Sequence, residues 1–198
     1  VNFLAHAYLS GNDHELLFGN MVADHIKGKV LESYPQGIIK GVLLHRSIDT
    51  FTDENKIVKD AGSFLNHHFG KYAGVVLDIY FDHFLAIGWN QYSQEELHLF
   101  ARKVYFVLLR NYTLLPVRSR RIIPWMVAQN WLSGYANLRD LERVFNGMAR
   151  RAAFSSGMEK AVPVLLDNYP YIHQQFLLFF PQLEAHVSSV MNEMERKN

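Results

Sequence analysis

Two stretches of the chain set ionisable side chains one helical turn apart in apolar surroundings. In Leu43-Leu44-His45-Arg46-Ser47-Ile48-Asp49, His45 and Asp49 are four residues apart and share one face of a helix. In Leu77-Asp78-Ile79-Tyr80-Phe81-Asp82-His83-Phe84-Leu85, Asp78 and Asp82 repeat that interval, with His83 beside them. Asp24 ends a third apolar run, Gly19-Asn20-Met21-Val22-Ala23-Asp24. Burying a lone carboxylate costs several kcal/mol unless a cation or hydrogen bonds offset it, and a divalent metal is one such cation. Imidazole and carboxylate donors without sulfur suit Mn²⁺, Fe²⁺ or Mg²⁺ better than a structural zinc. An ion of this kind acidifies a bound water and polarises a phosphoryl oxygen, which is hydrolytic chemistry. Arg46 is a candidate to grip phosphoryl oxygens, since a guanidinium bonds two of them at once.

The same spacings have structural explanations. His–Asp pairs one turn apart are commonly ion pairs. Asp78 could pair with Arg46, Asp82 could cap a neighbouring helix, and the His83 ring could pack in the core on one hydrogen bond. His6 on its own reads as a structural histidine, and His25 is set aside as exposed.

Helices must position these groups. Helical periodicity runs through most of the sequence and long alternating runs of strand type do not, so an all-α, irregular helical bundle is expected over residues 1–198 as one domain. The expected helices run from about 13 to 28, 36 to 50, and from a start at Thr52-Asp53-Glu54, where Thr52 serves as cap, to about 66. A central buried helix follows over 72–90. Ser93 caps another helix to about 114, ended by Pro116. Further helices cover 119–133, 138–153, 157–168 and 171–195. Trp89 and Phe84 read as core, and the aromatic segment containing Phe176, Phe179 and Phe180 as core or an interface.

The composition narrows the function. With a net charge of +1, nothing in the bulk electrostatics calls for nucleic acid or an anionic membrane. The absence of cysteine removes disulfides, thiolate metal sites and a thiol nucleophile. The first residues lack the pattern of a signal peptide, and the apolar runs are too short to span a bilayer, so a cytoplasmic protein is expected. No phosphate-binding glycine loop, nucleophile elbow or dinucleotide fingerprint is present.

Several segments, in order, resemble the acyl carrier protein phosphodiesterase family: Asn2-Phe3-Leu4-Ala5-His6, Gly19-Asn20-Met21-Val22-Ala23-Asp24, Leu44-His45-Arg46-Ser47-Ile48-Asp49 with Thr52-Asp53, Asp78 with Asp82-His83-Phe84-Leu85 and Trp89, and Asn146-Gly147-Met148-Ala149. Val1 stands where the family has Met, and Tyr8 where a His is expected, so position 8 is not counted as a ligand. The resemblance implies a divergent, HD-domain-like helical phosphohydrolase dependent on Mn²⁺ or a similar ion. Its reaction would release 4′-phosphopantetheine from holo acyl carrier protein. The adjacent His-Asp doublet of that superfamily is reversed here, as Asp24-His25 and Asp82-His83. The implied metal shell is His6, Asp24, His45, Asp82 and His83, with Asp24, Asp49 and Asp78 in catalytic or orienting roles. Arg46, Asn146 and Arg151 would face the substrate. Carrier proteins are acidic, so Arg118, Arg120 and Arg121 are the expected docking patch, with turnover of the carrier falling as salt rises. The alternatives are a phosphohydrolase acting on a nucleotide or other small phosphoester, and a non-catalytic helical binding module.

Overall fold

The computed structural model describes residues 1–196, the side chain of Lys29 excepted, and among these it is helical with no strand. The helices are α1 (Phe3–Leu9), α2 (His14–Val22), α3 (Gln36–Glu54), α4 (Lys56–Phe69), α5 (Ala73–Ile87), α6 (Leu97–Arg110), α7 (Val117–Ala128), α8 (Trp131–Gly134), α9 (Leu138–Arg151), α10 (Ala161–Asp167) and α11 (Tyr169–Arg196). The fold is all-α, as the periodicity predicts. No helix among the described residues is long and apolar enough to cross a membrane.

Several expected boundaries move, and the helix expected over 119–133 is broken into α7 and α8, with Asn130 between them at a positive φ of 49°. The helix placed at 13–28 ends at Val22, and short 3₁₀ turns take over at Ala23–His25 and Gly28–Ser33. Thr52 does not start a helix: α3 runs through it, and Asn55 caps α4 by accepting a bond from the Ile57 N–H. The Ser93 hydroxyl accepts from the Glu95 N–H at 3.1 Å, which closes a turn, and α6 begins only at Leu97. Pro124 and Pro181 lie inside α7 and α11, where each removes one helical N–H and leaves the helix unbroken.

α5 is the apolar spine. Tyr80, Phe81, Phe84 and Leu85 are fully buried; Phe81 stacks on Phe179 of α11 and meets Phe176 edge-on, and Phe84 packs against Phe176. Each such side chain contributes about 1.5–3 kcal/mol when buried. The C-terminal aromatics at 176, 179 and 180 are therefore core, as is Trp89.

Two devices aim the remaining elements. α2 and α3 cross backbone to backbone because Gly19 and Gly41 face each other: a Cβ on Gly19 would run into the Ile38 carbonyl, and one on Gly41 into the Leu16 carbonyl. This approach brings Asn20 of α2 against His45 of α3. The start of α1 is held by α5, where Asp82 accepts the backbone N–H groups of Asn2 (3.1 Å), Leu4 (2.8 Å) and Ala5 (3.2 Å). These are N–H groups that the first turn of a helix leaves without an internal partner. Because α1 carries His6, this anchor also fixes one wall of the site.

Candidate metal centre

His6 from α1 and His45 from α3 lie ring over ring, their centroids 4.2 Å apart and their planes 24° from parallel. Both hang from Asn20. Its Oδ1 is 2.8 Å from His6 Nδ1 and 3.2 Å from His45 Nδ1, while its Nδ2 donates to the His6 carbonyl (3.0 Å) and to Ser10 Oγ (2.9 Å). A carbonyl oxygen only accepts, so the amide cannot be flipped, and Oδ1 must receive a proton from each ring. Both Nδ1 atoms are therefore N–H donors. Asn20, fully buried, has no bonding capacity left over.

The two Nε2 atoms then point together. His6 Nε2 is 3.3 Å from Asp49 Oδ1, and His45 Nε2 is 3.1 Å from Asp49 Oδ2 and 3.3 Å from Asp24 Oδ1. A neutral imidazole would present a lone pair to these carboxylate lone pairs, so a proton or a metal ion must lie between them. Burial works against a charged His45, but the hydrogen bonds and charges of Asp24 and Asp49 override it and push its pKa up to about 9. His6 is held below its ordinary value, chiefly by burial and further by His45, although the bond to Asp49 opposes this. Asp24 is depressed by its bond to His45. Asp49 is held well below the carboxylate range by His45 and His6, in spite of burial.

The donor set fits a divalent ion. Donor atoms of His6, His45 and Asp49 all lie within 4.8 Å of one another. Ligands about 2.0–2.2 Å from an ion sit about 3–3.5 Å from each other, the range of the Nε2–carboxylate distances here. A cleft of about 290 Å³ opens over the cluster, lined by His6, Asn20, Asp24, His45, Asp49 and Asp78 among others. Thr52 also lines it, one helical turn beyond Asp49, and its hydroxyl is buried with no hydrogen-bond partner. Buried hydroxyls are nearly always paired, which sets this one apart from its neighbours.

Asp78 reaches the cleft half-buried and pairs with the Val1 amino group at 2.6 Å, not with Arg46. Burial raises its pKa against the pull of that ammonium. Asp82 and His83 do not join the cluster. The Asp82 oxygens are spent on α1, and burial pushes that carboxyl up to about 7 against the three N–H groups. The His83 Nδ1 donates to the Tyr135 carbonyl at 2.7 Å, away from the cleft, and burial lowers its pKa. Of the five residues expected in a shell, the structure brings His6, His45 and Asp24 together, with Asp49 joining them, while both groups on α5 bond to the backbone instead.

The outer residues divide as well. Arg46 does not line the cleft; its guanidinium donates to the Ile26 carbonyl at 3.2 Å. Arg120 is bound to the carbonyls of Leu115 and Thr113. Arg118 and Arg121 are exposed, and Arg118 adds to the burial that depresses the pKa of His25. His25 is half-buried rather than exposed, with Nδ1 2.8 Å from Ser119 Oγ. Asn146 is half-buried on α9 and lines neither the cleft nor a second, larger groove, whose walls include Arg151. Tyr8, not counted as a ligand, donates to Glu184 at 2.8 Å. Sequence reasoning assigned no role to Asn20. The available signal was a lone amide in the apolar run Leu16-Leu17-Phe18-Gly19-Asn20-Met21-Val22.

Comparison with known proteins supplies a family. The family model for acyl carrier protein phosphodiesterase matches residues 1–183. A protein of that name from Shigella boydii is 30% identical over 192 residues, covering 95% of this chain and 98% of its own. One from Yersinia pestis, with the same name, is 29% identical over 184 residues, covering 92% and 95%. No solved structure matches the chain.

Proposed function

This chain belongs to the acyl carrier protein phosphodiesterase family, and we propose that it hydrolyses the phosphodiester joining 4′-phosphopantetheine to the serine of holo acyl carrier protein. The products are apo carrier protein and 4′-phosphopantetheine. His6 and His45, through Nε2, and Asp49 hold a divalent ion, with Mn²⁺ the best match to two imidazoles and a carboxylate. Asp24, at the mouth of the cleft, completes the shell. The ion, when bound, lowers the pKa of a water and polarises the phosphoryl group.

The chain's own groups do the rest. Asn20 keeps both imidazoles in the Nδ1–H tautomer, the role an outer partner plays for metal-binding histidines. Asp24, kept ionised by His45, accepts a hydrogen bond from the attacking water and orients it. Asp78, on the cleft wall and bonded to the Val1 amino group, is a further orienting carboxylate. The exposed Arg118 and Arg121 attract the acidic carrier.

One observation supports this reading above the others: two imidazole lone pairs of fixed tautomer converge on a carboxylate at the floor of an open cleft. The test is to incubate the protein with Mn²⁺ and holo carrier protein and to weigh the carrier. Loss of the prosthetic group that requires the ion is expected. An unchanged carrier mass alongside nucleotide turnover would point to a different phosphohydrolase. Protein that retains no stoichiometric divalent ion would point to a binding module whose His and Asp residues are ion pairs.

A further inference from the structure

A groove of about 1200 Å³ adjoins the metal cleft, and the two share Asn2, Phe3 and Val75 as a common wall. It runs between α7, α8 and α9, and its other walls include Trp125, Trp131, Met148 and Arg151. Trp125 is 64% exposed, a large aromatic surface left to water at the lip of a concavity. Ligand pockets combine apolar and aromatic walls with a few polar groups in the same way. The groove also explains part of a sequence motif that the cleft does not use. In Asn146-Gly147-Met148-Ala149, Gly147 and Met148 line the groove, and a Cβ on Gly147 would lie 3.4 Å from the Arg151 guanidinium. Arg151 folds back over Gly147 of its own helix and lines the groove.

We propose that this groove binds the pantetheine arm while the phosphodiester lies in the metal cleft. The proposal rests on the function proposed above. A diester seated between His6, His45 and Asp49 has two substituents. The carrier is a folded protein and stays outside, so the slender arm is the one that can pass the Phe3 wall. The arm is uncharged beyond its phosphate, with methyl groups, two amides and a terminal thiol. Aromatic and thioether walls suit the methyl and methylene portions, and Arg151 can donate to an amide carbonyl. Binding energy from this remote part of the substrate would hold the phosphorus in place over the ion.

Two substrates and two variants test it. The substrates are holo carrier protein and a carrier whose arm is cut back after the dimethyl segment next to the phosphate. With wild-type protein and Mn²⁺, the shortened arm should raise KM at least ten-fold. In Met148→Trp, which fills the groove from a half-buried position, the ratio of the two KM values should collapse toward one. Trp125→Ala, at an exposed site that costs the core nothing, should lower the same ratio by a smaller factor. A calorimetric titration of metal-stripped protein with pantetheine should show saturable binding that Met148→Trp weakens ten-fold or more. A wild-type ratio near one, or a ratio that survives Met148→Trp, overturns the proposal. So does a groove that proves to be covered by a second copy, seen as Met148→Trp turning a dimer into a monomer with the ratio intact. If wild-type protein releases neither arm, the proposed function itself fails, and that result is distinct from all of these.

Discussion

The carboxylate of Asp82 receives three backbone N–H groups, whereas that of Asp49 faces two imidazole nitrogens and an opening to solvent. Along the chain the two are hard to tell apart: each lies in an apolar helix with a histidine close by. The difference is saturation. On α5, Asp82 and His83 bond to main-chain groups that only a fixed fold can supply, and what they do is hold α1 and the segment around Tyr135 in place. On α3, His45 and Asp49 have a side-chain partner on one side only, and their remaining lone pairs converge. Polar groups that have found backbone partners build a structure; those left facing one another can hold an ion.

The strongest way to break this contrast is to remove one group from each region. Asp49→Ala or His6→Ala should abolish stoichiometric Mn²⁺ binding and lower arm release by about 1,000-fold or more, with the metal-free protein still folded and Asp49→Ala losing no more than the roughly 2 kcal/mol that the charged His45 contributes. Asp82→Ala should leave three N–H groups of α1 unpaired and destabilise the fold by about 3 kcal/mol. The milder Asp82→Asn keeps an acceptor and should remain folded. Metal analysis of folded protein decides the matter: if Asp82→Asn loses its ion as completely as Asp49→Ala does, the two regions are one site and the contrast is wrong.

Asn20 comes next in size. Asn20→Leu preserves the volume on α2 but releases both Nδ1–H groups, so the rings are free to turn and to change tautomer. Mn²⁺ affinity should fall about 10- to 100-fold, the usual cost of losing an outer partner to a metal ligand. The same variant should leave Asp82 and His83 in place, which can be read from unchanged protection of the α1 and α5 amides in hydrogen exchange. An affinity within two-fold of wild type would mean that the tautomer is set elsewhere.

These two tests also mark what the sequence could and could not tell. Helical periodicity made the all-α fold legible, and i, i+4 spacing made His45 and Asp49 legible as one face, because both follow from the geometry of a single helix. The same logic applied to Asp78, Asp82 and His83 placed them on one helix correctly but could not say which way each pointed into the fold. That depends on where α1 docks, a contact between residues 77 to 80 positions apart. Asn20 was missed for a related reason: its partners, His6 and His45, are 14 and 25 residues away. The Gly19–Gly41 crossing that joins them shows in the sequence only as two glycines. Thr52 was taken as a helix start because hydroxyls often are, yet α3 continues to Glu54 and carries that hydroxyl to the cleft.

Titration sharpens the contrast with a smaller effect. The folded-state pKa of His45 is raised to about 9 from an ordinary 6.5, so its contribution to stability is complete below pH 6.5 and is lost as pH rises through 9. Allowing for the exposure of Asp24 and Asp49, the contribution is about 2 kcal/mol. Asp82 is raised to about 7 from 3.8, so it too favours the folded state most when protonated, but its window lies between pH 3.8 and 7. Melting temperatures of metal-stripped protein should therefore fall in two steps as pH rises. Bound Mn²⁺ replaces the proton between His45 and the carboxylates, so it should erase the upper step and leave the lower one. Loss of both steps with metal would tie Asp82 to the ion.

The smallest expected effect is at His83. Its Nδ1–H···O bond to Tyr135 fixes the tautomer just as Asn20 does for His6 and His45, so tautomer control by itself does not make a ligand. What separates them is the surroundings of the other ring nitrogen: His83 packs edge-on against Tyr169 and beside Phe84, where no carboxylate approaches within ion-pair distance among the described residues. Substitution of His83 by Asn, which retains a donor near the Tyr135 carbonyl, should cost about 1–2 kcal/mol of stability through lost packing. Mn²⁺ affinity, measured by titration of the folded variant, should stay within two-fold of wild type. A ten-fold loss would mean that an imidazole with a backbone partner and apolar neighbours still shapes the ion's surroundings, and saturation would then be the wrong criterion for separating the two halves of this molecule.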